Sequence, residues 1–308
     1  MERAPDASAA FAQFARSIRA SLASISPFVA TRESAGAIQV ERGIVLAHVM
    51  KAGKTRPGLD ALESIEPLIQ LASTTSSLSR IAVVDADGNH HPVYRPLLIY
   101  SWLVSFSLLY ESLPRREHGR WEESLRSWCD LLESDLGDAI WTGDHIAASG
   151  ASAAAEAAWI AVALQVAGKI FVRDVWLDLA SDFFGKLTRT QHPEGSFIAT
   201  DAAGDVEPTT IKSEMMILHA GADYALAAKD RNVAAVVARG AHYAMAHTTP
   251  EPAVVQPWAL FAFIWNPATR DVADRMLRRS EIAPGSHLNW MLLADALYSL
   301  AAFGVDTP

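Results

Sequence analysis

The sequence has little of what the commonest active sites are built from. Cysteine occurs once, at Cys129, so no intramolecular disulfide and no cysteine-rich zinc site can form. A reducing, cytoplasmic setting is the expectation. Basic residues are outnumbered, 26 Lys and Arg against 35 Asp and Glu, for a formal net charge of -9. The dense basic stretches are Arg115-Arg116 and Arg275 with Arg278-Arg279. Nucleic-acid binding needs clustered positive charge, so no nucleic-acid partner is expected. Apolar stretches are broken by charge or proline before about 18 residues, so no membrane span is expected either. The opening Met-Glu-Arg-Ala-Pro-Asp lacks the basic-then-apolar order of a secretion signal. Also missing are Gly-x-Gly-x-x-Gly after a strand, a Walker lysine loop, His-Glu-x-x-His and a Gly-x-Ser-x-Gly elbow. Nucleotide-dependent and common hydrolase mechanisms lose most of their support, and neither a metal nor a cofactor is expected.

What is present is helical periodicity. The chain has 308 residues, half of them hydrophobic, enough to bury a large core. Phe11, Phe14, Ile18 and Leu22 recur at the spacing of one helical face, and residues 1–55 read as an N-terminal helical extension of a single domain spanning 1–308. Leu59, Leu62, Ile65 and Ile69 mark another helix. The β signal lies at Ile81 to Tyr94, where an apolar run, an Asp-Gly-Asn turn and a second extended run predict a hairpin between helices. Beyond Pro96 the pattern predicts helices near 96–112, 117–136, 149–168, 171–190, 209–228, 230–247, 253–265, 268–279 and 287–303. Connections alternate between short ones, such as Lys229-Asp230, and long ones, such as Gln191 to Pro208, as antiparallel helix pairs set side by side require. Trp159 to Ile170 and Val254 to Ile264 are apolar nearly all round, as helices enclosed by others are. The expected fold is all-α, an α/α toroid of helical hairpins with a small β-hairpin insertion.

Leu187-Thr-Arg-Thr-Gln191-His-Pro-Glu-Gly195-Ser-Phe197 follows the form Leu-x3-Gln-x3-Gly-x-aromatic. It resembles the Gln-Trp repeat of squalene and oxidosqualene cyclases and, more loosely, helix-pair turns across the α/α-toroid superfamily of terpenoid cyclases, prenyltransferase β-subunits and carbohydrate-active enzymes. The physics of such a motif is structural. Glycine permits the tight turn, glutamine can bond exposed backbone groups, and the aromatic ring can pack against the turn. Phe197 stands where the repeat usually has Trp, and the cyclases' Asp-x-Asp-Asp cluster has its nearest counterpart in Asp85-Ala-Asp87-Gly88. The resemblance implies a toroid fold and a central cavity.

Four constellations carry chemistry. Asp85, Asp87, Asn89, His90, His91, Tyr94 and Arg95 lie within eleven residues, where Tyr94 and Arg95 re-enter helix and could orient a substrate. Turn chemistry alone explains most of that group. Trp141-Thr-Gly-Asp144-His145 could supply an acid–base pair, or Asp144 could cap the next helix. Glu214 sits among Met215, Met216, Ile217 and Leu218, so its carboxylate must find a partner or hold a proton. His219 follows five residues on, about 140° around the helix, so the two do not share a face. His242 and His247 are likewise five apart. His287-Leu-Asn289-Trp290 opens the last long helix, with Trp258 and Trp265 upstream. Nine tryptophans can wall a cavity or fill a core.

These features point to a metal-independent acid–base enzyme, a cyclase, isomerase, dehydratase or lyase acting on a small apolar or terpenoid-like molecule. Glu214 and Asp144 are its expected acid or base, His219, His145 and His287 their partners, Tyr94 and Arg95 orienting groups, and Trp141, Trp258, Trp290 and Asn289 substrate-binding residues. Two alternatives stand beside it: a carbohydrate-active hydrolase or lyase, which would use paired carboxylates and aromatic stacking, and a non-catalytic helical scaffold. A small molecule is the expected partner, and homo-oligomerisation is left open.

Overall fold

The computed structural model describes residues 82–84, 90–92, 115–141, 151–197, 211–248, 251, 259, 261–264, 266–279 and 295. Two short strands, β1 (Ala82–Val84) and β2 (His90–Pro92), pair antiparallel with Val83 opposite His91, as the hairpin pattern predicts. The helices are α1 (Arg115–Trp141), α2 (Ala151–Phe171), α3 (Asp174–Thr190), α4 (Ile211–Ala228), α5 (Arg231–His247), the single turn α6 (Phe261–Ile264) and α7 (Arg270–Arg279). A 3₁₀ turn at Pro267–Thr269 leads into α7, and the Asn266 side chain caps it by accepting from the Ala268 N–H. The predicted helices at 5–22, 57–72, 96–112 and 287–303 lie outside the described residues, apart from helical Asp295.

The chain divides into two compact units. One comprises Met1–Trp128 and Gly285–Pro308, the other Cys129–Pro284. The first holds β1, β2 and the opening half of α1, with Leu125 and Trp128 buried. The second carries the helical layers that position the candidate site.

In that second unit α2 is an enclosed helix, packed against both α3 and α4, and α4 in turn packs on α5. Its sequence explains the position. Alanine is the best helix former and lets neighbours approach closely, and Ala154, Ala155, Ala157, Ala158, Ala161, Ala163 and Ala167 are all buried. Ala154–Phe171 is long and apolar enough to cross a membrane, but 78% of it is buried inside the protein, as in a core helix. By contrast α3 is amphipathic. Trp176, Ala180, Phe183, Phe184 and Leu187 recur at helical spacing and are buried. Trp159, Trp176, Phe183, Phe184 and Phe263 are the largest fully buried side chains, each stabilising the fold by roughly 2–3 kcal/mol on transfer from water. Phe184 stacks on Tyr224 of α4 at 4.1 Å between ring centres.

Both short connections use one device. Val172 and Lys229 adopt left-handed φ values of 54° and 57° just past α2 and α4. The next N–H then closes the helix end, Arg173 to the Gly168 carbonyl and Asp230 to that of Ala225, each at 3.0 Å. Asp230 next caps α5, its carboxylate accepting from the Asn232 and Val233 N–H groups. Lys169 Nζ donates to the Ala227 carbonyl at 2.5 Å, a cation against the negative end of α4.

Where α1 meets α3, the Trp176 indole donates to Glu133 at 2.6 Å and the Arg173 guanidinium lies 4.6 Å over its ring. Neighbouring Cys129 is fully buried, and burial pushes its thiol up to about 12. That thiol is structural and unreactive.

Candidate functional site

The site grows from the turn after α3. Gln191 ends that helix, and its side-chain amide donates to the carbonyls of Gly195 and of Val236 on α5, both at 2.9 Å. Arg239 of α5 donates to the Gln191 side-chain oxygen from Nε and Nη2 at 3.1 and 2.7 Å. Gly195 has φ +109°, and a Cβ there would stand 2.5 Å from the Arg239 carbonyl oxygen, so only glycine fits. Phe197 runs past Gly240, where a Cβ would lie 3.3 Å from its ring. The turn is therefore fastened to α5 by side-chain hydrogen bonds and by contact, and its role is architectural.

That anchored turn meets the first turn of α4 and the last turn of α5. Glu214, on α4, is 7% exposed. Its carboxylate accepts from the Phe197 N–H, and Oε1 has no hydrogen-bond partner among the described residues. Burial raises its pKa to about 7, with the Phe197 amide and the His247 imidazole working the other way. Tyr243, on α5, bonds the Ser196 side chain. Burial, then the Glu214 and Glu194 carboxylates, hold its phenol above the ordinary value. Ser196 Oγ donates to Glu194 Oε1 at 3.1 Å. The Glu194 carboxyl is exposed and held below its ordinary range, first by its own backbone N–H and then by Ser196. His247 stacks on Tyr243 at 4.2 Å and 20°, with Nδ1 2.9 Å from the Tyr243 carbonyl oxygen. A carboxyl able to give or take a proton near neutrality thus sits beside a phenol, a serine and an imidazole.

The second polar group lies deeper. His219 and Asp223 are one turn apart on α4, Nε2 to Oδ2 3.8 Å, both buried. The Trp159 ring of α2 lies 5.3 Å from the imidazole. As the angular offset requires, Glu214 and His219 have different surroundings. Glu214 faces the 195–197 turn and the end of α5, and His219 faces Trp159 and Asp223.

Of the other residues singled out in the sequence, Trp141 is the last residue of α1. Tyr94, Arg95, Asp144, His145, Trp258, His287, Asn289 and Trp290 lie outside the described residues. Sequence reasoning missed Asp223, Tyr243 and Ser196. Two of these were signalled by an i, i+4 spacing, His219-x3-Asp223 and Tyr243-x3-His247.

No family model and no curated protein matches this chain. Among solved structures it is similar to the crystal structure of an unsaturated glucuronyl hydrolase specific for heparin, with a TM-score of 0.58, 11% identity, and coverage of 96% of this chain and 97% of that one. At that identity the likeness speaks to the fold and not to the reaction. The fold is an all-α toroid.

Proposed function

We propose that this protein is a carbohydrate-active hydrolase or lyase in which Glu214 gives and takes the proton. The observation that carries the reading is the Glu214 carboxyl, buried, with one oxygen unbonded among the described residues and its pKa raised to about 7. Breaking or eliminating a glycosidic linkage needs a proton delivered to the leaving oxygen, and an acid that titrates near the working pH does this best. The whole-length likeness to a glucuronyl hydrolase supports a saccharide, and an unsaturated glucuronyl disaccharide from heparin is the first substrate to offer.

A second reading keeps the same carboxyl and changes the substrate to a small apolar or terpenoid-like molecule, cyclised, isomerised or dehydrated. Its support is the apolar flank of Glu214, with Met215 and Met216 both buried.

One screen separates the two. Purified protein is incubated with the heparin disaccharide, a panel of aryl glycosides and a set of isoprenoid alcohols and diphosphates, beside Glu214→Gln. Saccharide turnover that falls roughly 10²–10⁴-fold in the variant is expected. Turnover of isoprenoids alone moves the assignment to the second reading. Inactivity on all three leaves a helical scaffold, and an undiminished variant removes Glu214 from the chemistry.

A further inference from the structure

We draw no further inference here: the strongest candidate, the buried side-chain pair of His219 and Asp223 on α4 beneath the Trp159 ring of α2, has its two members facing each other and closed off from solvent, so it offers no surface to a ligand.

Discussion

His219 Nε2 and Asp223 Oδ2 face one another at 3.8 Å across one turn of α4, with side chains 0% and 4% exposed. A buried pair of this kind is costly to break from one side, because the remaining group stays desolvated. His219→Leu and Asp223→Leu should each destabilise the protein by about 3 kcal/mol. The double variant should cost clearly less than the sum, since each single variant strands the other member of the pair. Urea melts of the four proteins measure this, and additive losses would show that the two side chains do not depend on one another.

Val172 sits at φ 54° in the link between α2 and α3, and it is 84% exposed. A β-branched residue in the left-handed region is strained by roughly 1–2 kcal/mol, and its exposure means that little packing is lost on truncation. Val172→Gly should therefore stabilise by about 1 kcal/mol, after subtracting the greater freedom of glycine in the unfolded chain. Lys229→Gly, at φ 57° without the branched carbon, should gain less. Thermal melts rank the two, and a less stable Val172→Gly would contradict the account.

The helices α1 to α5 were legible because their apolar residues keep the 3.6-residue period and their ends carry proline, glycine or aspartate. The predicted runs at 171–190 and 230–247 fall within a few residues of Asp174–Thr190 and Arg231–His247. Glu214 was legible because a carboxylate inside an apolar run is conspicuous. Its surroundings were not, since the amide that holds it belongs to Phe197, seventeen residues away in sequence, and Tyr243 arrives from the next helix. The five-residue offset between Glu214 and His219 puts them on different faces, and the partner of His219 is Asp223, at the i, i+4 spacing beyond it. His247 does not share a face with His242, five residues back, and its partner is Tyr243, four residues back on the same face.

Gly195 ties the candidate site to its frame. At φ +109° with a Cβ position 2.5 Å from a backbone oxygen, an alanine there must move either the turn or α5. Gly195→Ala should cost about 3 kcal/mol, from backbone strain and overpacking together. The same displacement would pull the Phe197 N–H from Glu214, so the carboxyl should titrate higher than in wild type. Destabilisation with an unmoved Glu214 midpoint would separate the turn from the site.

Glu214 gives the stability of the protein a pH dependence whose sign is fixed. Burial raises its pKa from the ordinary 4.5 to about 7 in the folded chain. Between those values the native state keeps a proton that the unfolded chain has released, so stability falls as pH rises through the window and levels off above it. A gap of about 2.5 pH units corresponds to about 3 kcal/mol of stability present at pH 4.5 and absent at pH 8. Other groups titrate in this range too, so the quantity to measure is the difference between wild type and Glu214→Gln, which has no proton to lose. Urea melts at several pH values should show the variant gaining on wild type from pH 4.5 to 7 and running parallel above it. A difference that stays flat throughout would mean that Glu214 is ionised in the native state, and with it would go the proton donor on which the proposed chemistry depends.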